Sequence, residues 1–416
     1  MKRYLIGTAS MAALVLGSAA AAQDSIKIGL LVVQEGTFAE GGTDGIRGFE
    51  QALAQYGNEV NGIPIEWVMA PTDATPDTTV RQARRLIEQD EVDFIIGPLS
   101  GSEGIALRDY AKTVPDKTFI NGASGAFETT FVDPAENFFR FHTDGLQWGV
   151  GLGAYVVEEL GWDRIATIAA DYSFGYTNFM GFAADFCMAG GTIVERFWVP
   201  LGASDFGGVI AALPFDIDAI YLGLGGTDAI NFLNQFEQAG EETNLIGGSI
   251  LADQTVLTAR GRAKDALIGT PTSGPFSDDN PDEEWQAYVA EYREMFPDGF
   301  STPTIFGVLY HISTLGALAG LEAVDGDLSG DQSKFREALA NLELETPIGT
   351  ITLDENRQAI GPVFVNEVVE NPDGTLSNTM KARYDGVSQT LGLSPEEFEA
   401  MGMPGRDTPD CDALRG

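Results

Sequence analysis

The sequence predicts an α/β protein of two doubly wound, Rossmann-like lobes. Three observations carry this. Short apolar runs alternate with amphipathic stretches over residues 25–121, the pattern of parallel strands joined by crossover helices. The alternation restarts after residue 145 and runs to residue 274. No low-complexity tether separates the two sets, which suits lobes joined by short crossovers.

The elements follow in order. "SIKIGLLVV" (25–33) reads as a strand and Gly41 to Tyr56 as a helix. "IPIEWVM" (63–69) is a strand, and Asp77 to Gln89 has the spacing of a helix. "VDFIIG" (92–97), Ser102 to Lys112 and "KTFIN" (117–121) continue the alternation as strand, helix and strand. The second set opens with a helix from Gly145 to Leu160 and a strand at 164–170. A helix from Ser173 to Ala189 and strands at 190–199 and 217–224 follow. A helix from Thr227 to Ala239 and strands at 244–249 and 266–274 complete it. Helices are expected at 281–296, 302–323 and 331–340, then a hairpin within 361–374.

Residues 1–22 read as a cleavable signal peptide: Lys2 and Arg3, an apolar run, then Ala20-Ala21-Ala22. The run is interrupted by Gly7, Thr8, Ser10 and Gly17, which argues against a membrane anchor, and it holds no cysteine for a lipid. Export to the periplasm is the expectation. The chain carries 62 acidic and 24 basic residues, a net charge of −38. Such a surface repels nucleic acid and anionic membranes. In an exported protein, Cys187 and Cys411 read as one possible disulfide, the alternative being two unpaired thiols.

The motifs of several chemistries are missing. No glycine precedes a lysine, so there is no phosphate-binding P-loop, and no G-x-S-x-G elbow occurs. His142 and His311 are the only histidines and stand far apart, so neither a metal nor a cofactor is expected. "GLGG" (223–226) lacks the spacing of a dinucleotide fingerprint.

What remains are small, polar loops at strand ends: "QEGTFAEGG" (34–42), "GPLSGSEG" (97–104), "NGASGAF" (121–127), "DYSFGY" (171–176) and "GGSILAD" (247–253). Open α/β sheets bind ligands at the carboxyl ends of their strands. A glycine-serine loop opening a helix exposes free N–H groups to an anion. Ser100, Ser102 and Ser124 would add hydroxyl donors, although serines in such places also serve simply as helix caps.

Read in order, these segments resemble the solute-binding proteins of branched-chain amino-acid-type ABC transporters, the leucine/isoleucine/valine-binding family. "IKIGLLVVQEGTFAEGG", "VDFIIGPLSGSEG", "FINGASGAFETT", "DYSFGYTNFMGFAADFCMAGGTIVERFWVPLGASDF" and "GTITLDENRQAIGPVFVNEV" are similar to its strand-and-loop segments, in the same order and spacing. The resemblance implies a Venus-flytrap of two lobes and three crossovers with the ligand sealed between them. The implied divisions are 23–142 and 275–362 for lobe one, and 143–274 and 363–416 for lobe two with its tail. It implies a monomer that hands a small ligand (an amino acid, an amide or a small carboxylate) to a membrane permease and its ATPase. A sensor of the same fold acting on a membrane kinase or chemoreceptor is the alternative, and an exported enzyme a more distant one.

By the same resemblance, the ligand carboxylate would be held by Ser100, Gly101, Ser102, Ala123, Ser124 and Gly125. Tyr172 or Phe174 would cover it, and Phe38 and Phe276 would stand at the entrance or in the core. Gly225 or Gly226 stands where some relatives carry an aromatic, which implies a roomier pocket. Ser249 stands where amino-acid binders place a glutamate against the ligand ammonium. Either Asp171, Asp253 or Glu35 supplies that charge, or the ligand is not an α-amino acid, since a buried ammonium without a carboxylate is costly; for Asp171 a structural role, holding its own loop, is an equal alternative.

Overall fold

The computed structural model describes residues 25–415 and contains two sheets; the predicted signal peptide lies outside the described residues. The first sheet comprises β1 (Ile26–Val33), β2 (Glu59–Val60), β3 (Ile63–Thr72), β4 (Phe94–Ile96), β5 (Thr118–Ile120) and β6 (Phe138–Phe139). Its order is β2-β3-β1-β4-β5-β6, parallel throughout except for β2. Seven of the eight β1 residues are buried, as a strand covered by helices on both faces requires.

The second sheet is built from β7 (Arg164–Ala170), β8 (Thr192–Val199), β9 (Ala219–Gly223), β10 (Asn244–Gly247) and β11 (Pro271–Gly274). These parallel strands run in the order β8-β7-β9-β10-β11. An antiparallel flank continues it with β12 (Leu344–Thr346), β13 (Gly349–Leu353), β14 (Ala359–Glu370) and β15 (Leu376–Val387). β14 begins against β13 and continues between β11 and β15.

In each sheet the chain lays its second long strand on one side of the first and the next strand on the other. The order therefore reverses between β1 and β4, and again between β7 and β9. These are the points where the loops leaving neighbouring strands diverge and open a crevice.

The helix Ile305–Ala323 is long and apolar enough to cross a membrane, but it is spent in the core beside the first sheet. It lies against the helix Ala39–Gln55 so closely that a Cβ on Gly48 would stand 1.9 Å from the Gly307 carbonyl oxygen.

Three sequence expectations change. The helix expected from Gly145 to Leu160 is a 3-10 turn, Gln147–Gly149, then a helix Leu152–Glu158, divided at Gly151 with φ +81°. The strand expected at 266–274 is β11 alone, because Arg262–Leu267 is helical. The hairpin extends well past 374, with arms of 12 residues each.

A disulfide joins Cys187, on the helix Ser173–Met188, to Cys411 in the C-terminal segment. That segment also leans on the loops of the first sheet, where Phe398 packs against Phe127 and Phe131 at centroid distances of 5.6 and 5.2 Å. The bridge closes a separation of 224 residues, so the chain-entropy account allows up to ~4–5 kcal/mol of stabilisation. Reduction, or Cys411→Ser, is expected to lower the melting temperature and leave ligand affinity nearly unchanged. Calorimetry and titration check this, and thiol counting on denatured, unreduced protein should find no free thiol.

Candidate functional site

The loop leaving β4 is built around residues that could not be exchanged. Gly97 sits at φ +132°, and a Cβ there would lie 2.3 Å from the Leu31 carbonyl oxygen. Ser100 then starts the helix Gly101–Ala111 with a capping box: its hydroxyl accepts from the Glu103 amide, and the Glu103 carboxylate accepts from the Ser100 amide at 2.8 Å. The Ser100 hydroxyl also donates to Ala74 O at 3.1 Å. The neighbouring loop is tied to it by Ala123 N–H donating to Pro98 O at 2.9 Å.

These bonds correct part of the sequence reading. The Ser100 hydroxyl is a cap, and the Ala123 amide is committed to Pro98. Ser124 donates its amide to Asn121 Oδ1, and its hydroxyl packs on Gly104 rather than lining the cavity. Left over are the amides of Gly101, Ser102 and Gly125, which have no acceptor among the described residues. Both glycines line one cavity.

That cavity lies between the two sheets' loops, with about 300 Å³ of space between atoms when the part open to solvent is included. Of the residues expected to hold or cover a ligand, Phe38, Ser100, Gly101, Ala123, Gly125, Tyr172 and Phe174 line it. The sequence reading missed Leu99, Trp148, Ile250, Ile305 and Phe306, which complete the wall. Phe174 meets Trp148 edge-on at 5.8 Å and Tyr172 at 6.1 Å, and Phe38 meets Phe306 at 5.8 Å. Trp148 is held by its indole N–H donating to Thr143 Oγ1 at 2.8 Å. Gly225 does not enlarge the pocket, because Ile250 occupies the space a Cβ there would need, at 2.8 Å.

The other expected residues stand around the cavity. Ser102 meets Ser173 hydroxyl to hydroxyl at 3.2 Å, from one lobe to the other. Gly226, at φ +52°, backs onto the Thr37 carbonyl, and the Thr37 hydroxyl donates to Asp228 at 3.0 Å. Asp171 is turned outward: its carboxylate accepts from Arg406 and Tyr176 and anchors the C-terminal segment. Glu35 is exposed. Ser249, Asp253 and Phe276 line an adjoining recess. Asp253 caps the helix Gln254–Leu257 and accepts from Ile305 N–H at 2.7 Å, joining it to the N-terminus of the long core helix. None of the three acids proposed to balance an ammonium lines the cavity.

A sequence profile of the family described as periplasmic binding protein matches residues 25–375. The chain belongs to the periplasmic binding proteins. It is 24% identical over 400 residues to the Leu/Ile/Val-binding protein homolog 6 of Brucella melitensis, covering 90% of this chain and 95% of that one. It is also similar to the solute-binding protein of an ABC transporter from Rhodopseudomonas palustris BisB5, solved with 3,4-dihydroxybenzoic acid. That match has 26% identity, a TM-score of 0.80, and covers 88% and 99% of the two chains. The leucine-binding protein LivK of Thermotoga maritima shares the fold at 21% identity and a TM-score of 0.75, covering 86% of this chain and 98% of that one.

For this binding protein, burial sets the charge states near the site. Burial holds His142 and His311 down at about 3, so both stay neutral at physiological pH. It pushes Asp253 up to about 6 and the neighbouring Asp278 up to about 7, from an ordinary 3.8.

Two expectations follow. A valine at 101 would collide with Phe174, whose backbone nitrogen lies 2.9 Å from a Cβ at that position. Gly101→Val should therefore keep the lobes apart and abolish binding, seen as a radius of gyration that no longer shrinks with ligand in solution scattering. The second concerns pH. An acid raised in the folded state contributes stability that is complete below its ordinary value and lost as pH rises through the raised one. Stability should therefore fall between about pH 4 and pH 7, with an upper figure of ~4 kcal/mol from Asp278 at ~1.4 kcal/mol for each pH unit of displacement. Asp278→Asn should flatten this slope in urea titrations.

Proposed function

We propose that this chain captures a small aromatic monocarboxylate between its lobes and delivers it to an ABC permease and its ATPase from the periplasm. The observation that carries the reading is the composition of the cavity wall. Five aromatic rings, Phe38, Trp148, Tyr172, Phe174 and Phe306, surround the unpaired amides of Gly101 and Gly125, and no charged side chain lines the space. Aromatic walls suit the faces and edges of a flat ring. Two amides at a helix N-terminus and a neighbouring loop suit one carboxylate. An α-amino acid would leave its ammonium buried without a partner, at a cost its aliphatic side chain cannot offset.

The Rhodopseudomonas relative solved with 3,4-dihydroxybenzoic acid supports this choice of ligand class. Nothing in the wall offers a nucleophile or a general base, so binding without turnover is the reading.

The test is calorimetric titration with benzoate and with leucine, followed in parallel by tryptophan emission, with Trp148→Phe separating the Trp148 contribution from that of the other four tryptophans. Benzoate should bind, quench the emission and raise the melting temperature, and leucine should do none of these. Leucine binding in the absence of benzoate binding would overturn the assignment.

A further inference from the structure

The recess behind Ser249 is chemically unlike the cavity it adjoins. Ile305 lines both, and Ser249 and Ile250 follow one another, one facing each space. Besides Ser249, its polar lining is Asp253, Asn366, Asn378, Ser273 and Thr272, the last with its hydroxyl turned to Gly248 O, and Phe276 and Ile305 form apolar wall.

The asparagines fix its polarity. Asn366 Nδ2 donates to Phe276 O at 3.0 Å, and Asn378 Nδ2 donates to Ala252 O at 2.8 Å. Backbone carbonyls only accept, so neither amide can be turned round. The Oδ1 atoms of both residues are left without a partner, although Asn366 is 3% and Asn378 6% exposed. The Ser249 hydroxyl has spent its proton on Asn178 Oδ1 at 3.3 Å, so it too can only accept. The Asp253 carboxylate is already bonded at both oxygens, by Thr255 and by the Ile305 amide. Asn366, Asn378 and Ser249 therefore offer three acceptors without a matching donor, against the single uncommitted hydroxyl of Ser273, and buried acceptors are ordinarily satisfied.

We propose that this recess is the specificity subsite for a neutral hydrogen-bond donor, a hydroxyl, carried at the end of the ligand opposite its carboxylate. The ligand class then narrows to hydroxylated aromatic monocarboxylates. An ammonium is a poor fit, because the one carboxylate present is committed to N–H and O–H groups of the protein. The inference rests on the carboxylate reading above and goes further than it.

The experiment titrates benzoate, 4-hydroxybenzoate, 4-methoxybenzoate and 4-(aminomethyl)benzoate into the wild-type chain and into Ser249→Ala and Asn366→Ala. In the wild type, 4-hydroxybenzoate should bind about tenfold or more tightly than both benzoate and the methoxy compound, as a site built to pair a hydroxyl discriminates. The ratio of 4-hydroxybenzoate to benzoate affinity should fall toward unity in each variant. Equal wild-type affinities for benzoate and 4-hydroxybenzoate would mean that water fills the recess, and would overturn this inference while leaving the carboxylate reading intact. So would a methoxy compound as tight as the hydroxy one, a tighter aminomethyl compound, or a hydroxyl preference that survives both substitutions. If no member of the panel binds, the carboxylate reading fails and the subsite falls with it.

Discussion

The clamp depends on one buried ion pair. Arg140 and Asp144 lie 3.0 Å apart with both side chains fully enclosed. Burial works against both charges, pulling the guanidinium down and pushing the carboxyl up, so the pair survives only if its remaining hydrogen-bonding capacity is used. Arg140 donates to Ser124 O, Ala126 O and Thr130 Oγ1, and Asp144 accepts from Gln389 at 2.7 Å. Gln358 donates to His142 O and Gln147 Oε1, while Gln147 donates to Ala359 O and Val387 O. One polar knot thus fastens the passages near residues 140–147, 358–359 and 387–389. The same guanidinium holds the carbonyls on either side of Gly125, so the knot also sets the position of a loop that lines the cavity.

Phe174 shows how the two lobes are fitted to one another. A Cβ added to Gly101 or to Gly125 would lie 2.8 Å from an atom of Phe174. The small residues read from the sequence as room for a ligand are equally the mould of an aromatic side chain arriving from the opposite lobe. This ring packs against the glycines whose amides have no acceptor among the described residues.

The parallel core of both sheets was legible because buried strands leave short apolar runs and crossover helices leave a different period. Elements with weak or divided signals were not. β6 is two residues long, and β12 and β13 are short strands in a polar stretch. The helix break at Gly151 depends on a left-handed backbone that a glycine permits but does not announce. The loops of the site were visible through their glycines and serines. Trp148, Ile250, Ile305 and Phe306 were not, because an apolar residue facing a ligand has the same pattern as one facing the core. The roles of Ser100 and Asp171 turned on partners distant in the chain or on cap geometry, which spacing alone does not report.

The bridge between Cys187 and Cys411 also orders events in time. Cys411 follows its partner by 224 residues, and chains fold from the N-terminal side as they emerge. The helix carrying Cys187 packs Met180 and Ala184 against Phe398 and Met401 of the same late segment, so this face is covered only once the C-terminal residues have arrived. The second sulfur comes with the residues that cover the helix, and the staple makes permanent a contact that the C-terminal segment itself completes.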